Sequence, residues 1–398
     1  MPSFDHRENS FIEIGISQEN KSGCLICGDA FISRKIKGEN RYVSVLSDGL
    51  GSGIKANVLS TMTASMAMSF SLRNEPVVQT ALTIMDTLPT DSVRNISYAT
   101  FTIVDIDNDG DTTVVEFDNP GYILFREGKE IETTKEEIML PERKAGRGIL
   151  LSHIHLCKND RLILFTDGVN QSGIGREAFP FGWEREGVIH LVEDTLKKDP
   201  DISAHDLSRV VVKHAVANDG YLPLDDTSCA VIYMRQPRDL LICSGPPYDQ
   251  GKDRYLANLV MGYPGKKIIC GGTTSKIISR ELHREISMDI ENPIDKLPPA
   301  ASMEGIDLVT EGILTLCAVA DMLEKGITPE QLPETPDGDI VRLIFESDRI
   351  DIVVGTRINE AHQDPNLPVD LEIRRNIIKR ITTVLEEKYL KKVQVKFL

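Results

Sequence analysis

Short β-branched apolar runs that begin or end in an aspartate constrain the fold of this chain more than any other feature. Tyr42-Val43-Ser44-Val45-Leu46 runs into Asp48, and Arg161-Leu162-Ile163-Leu164-Phe165 runs into Asp167. Asp225-Asp226-Thr227 stands just before Cys229-Ala230-Val231-Ile232-Tyr233, and Asp29 follows Gly28. A carboxylate at a strand end is held on a rigid element while its oxygens face a loop-lined cleft. Each of these acids alone reads as an ordinary turn, because Asp-Gly closes strands by bonding its own backbone. Together they specify a fold whose strand ends converge. Oxygen ligands without a His or Cys cluster favour Mg²⁺ or Mn²⁺ over Zn²⁺, and two such ions close together make a hydrolytic centre.

The segments Gly28-Asp29-Ala30, Leu46-Ser47-Asp48-Gly49-Leu50-Gly51-Ser52-Gly53, Leu164-Phe165-Thr166-Asp167-Gly168-Val169 and Asp225-Asp226-Thr227-Ser228 are similar to those of a known family. Through them residues 1 to about 235 resemble the metal-dependent Ser/Thr protein phosphatases (the PPM family), in the SpoIIE-like bacterial subgroup. The resemblance implies an αββα sandwich of two antiparallel sheets flanked by helices, with two divalent cations, Mn or Mg, at one end. It implies that Asp48 bridges both metals, that the Gly49 carbonyl holds one, and that Asp167 and Asp225 hold the other. Asp29 contributes directly or through water, and Asp226 is an alternative to Asp225. The implied reaction is attack of a metal-bridging hydroxide on phosphoserine or phosphothreonine, with no covalent intermediate. The implied partner is a phosphorylated regulatory protein, such as an antagonist of an anti-sigma factor. Two features depart from many eukaryotic relatives: Leu50 stands where they carry a proton-donating His, and their phosphate-binding Arg has only Arg34, Lys35 and Lys55 as candidate counterparts. A catalytically weak or silent signalling module is therefore the alternative reading.

With 398 residues the chain is long enough for two domains, each with its own core. The net charge of −16 argues against nucleic acid and against an anionic membrane surface as partners. No apolar stretch reaches bilayer length and Met1 to Arg7 lacks the apolar core of a signal peptide, so a cytoplasmic protein is expected. Seven cysteines without framework spacing fit a reducing compartment. Cys24 and Cys27, read as part of a strand over 23–32, point to opposite faces and make a poor metal or redox pair. Asp105-Ile106-Asp107-Asn108-Asp109-Gly110 satisfies the calcium-loop pattern, but its flanks alternate as strands do, so a β-hairpin is expected. His153 and His155 read as one face of a partly exposed strand rather than a ligand pair.

The apolar pattern is interrupted at Gln236-Pro237-Arg238, which places the boundary between domains 1–236 and 237–398. Beyond it, strand-like runs near 239–243, 267–270, 306–309 and 349–354 each end in Gly, Ser or Thr, the first three directly before a helical pattern. Repeated βα units imply an α/β domain with a mainly parallel sheet covered on both faces. Ligands of such sheets bind at the carboxyl ends of the strands. Gly271, Gly272, Thr273, Thr274 and Glu311 are accordingly candidates for holding a small anionic ligand, and His362 is a weaker one. The same residues would serve as helix caps and tight turns in any α/β domain. A regulatory or ligand-binding role for residues 237–398 follows as an expectation.

Overall fold

The structure, a computed structural model, describes residues 10–36, 41–73, 75–87, 99–107, 109–139, 148–288, 301–357, 369–389 and 391–398. The chain divides into two compact units, one holding residues 10–236 and the other residues 237–398. The first contains, in order, β1 (Phe11–Glu19), β2 (Asp29–Ile36), β3 (Arg41–Gly49), α1 (Ile54–Ser71), α2 (Val77–Thr87), β4 (Ala99–Ile106), β5 (Asp111–Phe117), β6 (Ile123–Arg126), β7 (Lys129–Ile131) and β8 (Glu136–Met139). There follow β9 (Gly148–His155), β10 (Arg161–Phe165), α3 (Asp167–Asn170), α4 (Glu184–Lys198), α5 (Ala204–Asn218) and β11 (Thr227–Arg235).

These strands form two antiparallel sheets, ordered β1-β11-β10-β6-β7 and β2-β3-β4-β5-β9-β8. The period of two fixes three apolar layers. On β10 and β11, Leu162, Leu164, Ala230 and Ile232 face inward to a cluster shared with Leu46, Val104 and Ile106 of the other sheet. Their neighbours Ile163, Phe165, Val231 and Tyr233 pack outward with Val188, Val192, Leu207 and Val211 of α4 and α5. Val43, Val45, Phe101 and Ile103 pack outward with Ala64, Ala67 and Met68 of α1 and Ala81 and Ile84 of α2. One-residue alternation thus sorts each strand between a sheet-to-sheet core and a sheet-to-helix core. The result is an αββα sandwich.

Two local expectations are corrected. Residues 20–28 form a loop, not the start of a strand, and β2 begins only at Asp29. Gly23 there has φ +84, a left-handed conformation that breaks an extended run. Asp167 is the first residue of the short helix α3, with Thr166 as its N-cap, rather than a simple strand-closing turn. The calcium-like segment makes a hairpin between β4 and β5, its Asp107 carboxylate accepting from the backbone of Asp109 and Asp111; Asn108 lies outside the described residues.

The second unit contains β12 (Asp239–Ser244), α6 (Asp253–Met261), β13 (Lys266–Cys270), α7 (Gly272–Leu282), β14 (Ile286–Met288), β15 (Ala301–Met303) and β16 (Ile306–Thr310). It continues with α8 (Ile313–Lys325), α9 (Pro336–Glu346), β17 (Arg349–Val354), α10 (Val369–Glu387) and β18 (Lys392–Phe397). The sheet order is β14-β15-β16-β13-β12-β17-β18; β16 to β18 run parallel, and β14 and β15 add an antiparallel edge. Leu240, Ile242, Ile350 and Ile352 pack against residues of α8, α9 and α10 on one face, and Leu241, Cys243, Ile269 and Val353 against α6 and α7 on the other. No helix among the described residues is long and apolar enough to cross a membrane.

The docking of α5 on β1 depends on a missing side chain. A Cβ on Gly15 would lie 2.2 Å from the backbone nitrogen of His205. Gly15→Ala is therefore expected to destabilise the first unit by about 2 kcal/mol, as overpacking does, read as a lower urea midpoint at unchanged slope.

Candidate metal centre

The two sheets bring their acids to one place through strand register. Asp29 opens β2 and Asp48 nearly closes β3, and the two are direct partners across that pair. In the other sheet Phe165 pairs with Cys229, so the residues after β10 lie beside those that open β11. Thr166 N donates to the Ser228 carbonyl at 3.0 Å, and Ser228 N donates to Thr166 Oγ1 at 3.0 Å. Both hydroxyls then turn to the opposite sheet. Asp29 Oδ2 accepts from Ser228 Oγ at 2.6 Å and from Thr166 Oγ1 at 2.9 Å.

This arrangement leaves charge unanswered. Asp29 Oδ1 and Asp226 Oδ2 are buried and have no hydrogen-bond partner. Asp226 Oδ1 accepts from the backbone of Lys21 at 3.1 Å. Burial, and after it the carboxylates of Asp29, Asp167 and Asp225, hold the Asp48 carboxyl far above the usual range. Burial and then Asp225 raise Asp167. Asp29 is raised by burial against the opposing hydrogen bonds from Ser228 and Thr166. A carboxyl held up by burial and by neighbouring carboxylates, as Asp48 is, is what a bound divalent cation stabilises.

Three glycines allow the backbone to close around these acids. An added Cβ would lie 2.0 Å from the Ala56 carbonyl at Gly49, 2.1 Å from the Asp226 carbonyl at Gly168, and 2.7 Å from Asp226 Oδ2 at Gly28. Among the described residues no group of three or more His, Cys, Asp or Glu side chains is placed to hold a metal ion as it stands. The acids nevertheless feel one another strongly, and two of them keep a bare buried oxygen. On that ground the all-oxygen donor set fits hard cations such as Mg²⁺ or Mn²⁺.

Asp225 and Asp226 differ in environment. Asp226 is buried, whereas the Asp225 side chain is 45% exposed and lies 3.6 Å from the Lys21 ammonium. Lys21 is the residue that sequence reasoning missed. Arg34 sits five residues along β2 from Asp29, opposite Val43, and the Lys35 ammonium stands over the Tyr42 ring. Lys55 is exposed in the first turn of α1. The Cys27 thiol, pushed up to about 12 by burial and then by Asp29, remains protonated. His153 and His155 lie on β9 and engage Thr113 and Asp111.

In the second unit Gly271 N donates to the Thr310 carbonyl at 2.8 Å, which brings the Gly271–Thr274 and Glu311 segments together at the carboxyl edge of the sheet. Thr274 is buried and accepts from Gly245 N, so its hydroxyl fastens this edge internally. A Cβ at Gly272 would meet nothing within 4 Å. Thr273 is the second residue of α7. His362 lies outside the described residues.

A phosphatase-type αββα sandwich with acids at one end defines the class of the first unit, and comparison with known proteins gives the family. Residues 38–235 match the family described as stage II sporulation protein E (SpoIIE). The first unit is a SpoIIE-like domain of the metal-dependent (PPM) phosphatase family. No curated protein matches the sequence. Among solved structures, the phosphatase domain of the cell fate determinant SpoIIE from Bacillus subtilis is similar at 16% identity and a TM-score of 0.43, covering 58% of this chain and 95% of that one. The RsbU and RsbW domains of a Mycobacterium tuberculosis protein are similar at 16% identity and a TM-score of 0.46, covering 65% and 71%. RsbX in complex with magnesium is similar at 20% identity and a TM-score of 0.36, covering 56% and 95%.

Thr166 ties both sheets to Asp29, so Thr166→Val removes one donor to a buried carboxylate and one acceptor for Ser228 N. The expected loss is about 1–3 kcal/mol in chemical denaturation, accompanied by weaker Mn²⁺ binding in calorimetric titration.

Proposed function

We propose that this protein is a metal-dependent phosphatase acting on phosphoserine or phosphothreonine of a bacterial regulatory protein. The observation that carries this reading is the pair of bare, buried oxygens on Asp29 and Asp226 beside Asp48, whose carboxyl burial and the neighbouring Asp29, Asp167 and Asp225 raise, in a domain of a phosphatase family. Asp29, Asp48, the Gly49 carbonyl, Asp167, Asp225 and Asp226 are the groups that would hold two Mn²⁺ or Mg²⁺ ions. Bound there, such ions supply Lewis acidity, offsetting the charge of the phosphate ester and acidifying the attacking water.

The chain's own residues do the positioning. Thr166 and Ser228 fix one oxygen of Asp29, which leaves the other directed elsewhere. The Lys21 backbone does the same for Asp226. Each acid is thus preorganised by a bond to one oxygen, so that little reorganisation is needed on loading. Gly28, Gly49 and Gly168 admit the close backbone approach that a side chain would block. With Leu50 in place of a histidine, no imidazole next to the Asp48-Gly49 turn protonates the leaving alkoxide. The proposed substrate is a phosphorylated antagonist of an anti-sigma factor, a reading supported by the SpoIIE-like subgroup.

Mn²⁺-loaded protein is expected to hydrolyse p-nitrophenyl phosphate and a phosphoserine peptide, chelation with EDTA to stop both, and Asp48→Ala to reduce turnover to background. Unchanged turnover in that variant refutes the assignment. Leu50 and the large α/β domain motivate the alternative, a silent phosphatase-fold signalling module. A folded protein that binds no Mn²⁺ up to millimolar concentration selects it.

A further inference from the structure

We infer that the loops 20–28 and 219–226 act together as a substrate-reading surface. It fits a protein segment in which apolar side chains flank the phosphorylated Ser or Thr, with Lys21 receiving the phosphate. This inference rests on the phosphatase reading and specifies its substrate class.

The two loops are one structural piece. Ser22 N donates to the Pro223 carbonyl at 2.9 Å, and the Lys21 backbone donates to Asp226. On its other side loop 20–28 is fastened to the glycine-rich turn and to α1. Asn57 Nδ2 donates to the Cys27 carbonyl at 2.8 Å, and Cys24 Sγ lies about 4.0 Å from the position of a Cβ on Gly53. The surface therefore borders the acid cluster from the Asp48 turn to Asp225.

Its exposed side chains are unusual for a loop. Leu25 is 97% exposed, Tyr221 76%, Leu222 66% and Leu224 52%, with Ile54 at 71% where α1 begins. Single exposed leucines are normal, but a set of large apolar groups around one polar site marks an interaction surface. Tyr221 holds φ +65, a conformation that costs a non-glycine residue energy and follows directly on Gly220 at φ +68. This pair caps the C-terminus of α5, Gly220 N donating to the Ala217 carbonyl and Tyr221 N to the Val216 carbonyl, and the Asp219 carboxylate accepts from Leu224 N, so the loop is held in one shape with Tyr221 and Leu222 exposed.

Charge decides the occupant. The acid cluster repels an anionic ester, and Lys21 places a cation at the rim, 3.6 Å from Asp225. Once a cation bound by Asp225 relieves that ion pair, Coulomb attraction favours a phosphate at Lys21, while the apolar groups beside it favour leucine-like flanking residues over charged ones.

The test uses the full chain with Mn²⁺ and two phosphoserine peptides, one with Leu and Ile flanking the phosphoserine and one with Ser and Gln. Their phosphonate analogues, whose C–P bond is not hydrolysed, report binding separately by fluorescence anisotropy. Wild-type protein is expected to prefer the apolar-flanked peptide about tenfold in kcat/KM and in affinity, roughly the value of burying one to two leucine faces. In the Leu25→Ser, Leu222→Ser double variant this ratio falls to near one. Lys21→Met weakens both analogues several-fold and keeps the ratio. It also tightens Mn²⁺ binding, since a cation beside the carboxylates is gone. Turnover without preference overturns the inference and leaves the phosphatase reading standing. Preference in binding without turnover does the reverse. Loss of self-association in the double variant, seen by sedimentation with no change in ratio, assigns the surface to a second copy of the chain and overturns the inference.

Discussion

One buried carboxylate fastens the first unit together at its functional end. Asp29 leaves one sheet and accepts hydrogen bonds from Thr166 and Ser228 of the other, spanning 137 and 199 residues of sequence. An ionised carboxylate out of water is costly unless hydrogen bonds or charges answer it. Two hydroxyls answer one oxygen only. The remaining oxygen makes the position unstable toward protonation and favourable toward a cation, so the joint between sheets and the candidate metal site share one residue.

Much of this frame was legible in the sequence. The alternation in Leu162-Ile163-Leu164-Phe165 and in Cys229 to Tyr233 gives strands with two buried faces, and the structure uses both faces. α1 spans Ile54–Ser71, a run rich in Ala, Met, Ser and Leu that follows the Gly51-Ser52-Gly53 turn. The βα rhythm after Pro237 yields the parallel part of the third sheet. Loop 20–28 was misread because Cys24-Leu25-Ile26-Cys27 is as apolar as a strand. Composition does not distinguish apolar groups that face a core from apolar groups that face solvent, and Leu25 is almost fully exposed. Helix α9 was overlooked although Thr335 and Pro336 provide its cap and first residue. Strand β15 has three residues, too few for any period to register.

The contributions of Lys21, Thr166 and Ser228 lie at a different level. The two hydroxyls could have been suspected, since each stands within two residues of an acid in Thr166-Asp167 and Asp226-Thr227-Ser228. Their common target on Asp29 depends on register between strands that no local pattern specifies. Lys21 offers even less signal. It is one of 45 basic residues, and only the bond between its backbone and Asp226 places its ammonium at the acid cluster.

The two units answer the same problem of gathering distant residues by different topologies. In the antiparallel sandwich, acids arrive at one end because neighbouring strands begin and finish there, as Asp29 and Asp48 do across a single pair. In the third sheet the parallel strands all end on the same edge, so Ser244, Cys270, Thr310 and Val354 finish together without needing particular pairings. The first design can place side-chain carboxylates against each other and must then manage their repulsion. The second gathers backbone amides and small residues, whose partial charges suit anions and need no such management. A chain carrying both gathers carboxylates in one unit and backbone amides in the other from the same elementary constraint, the direction in which strands end.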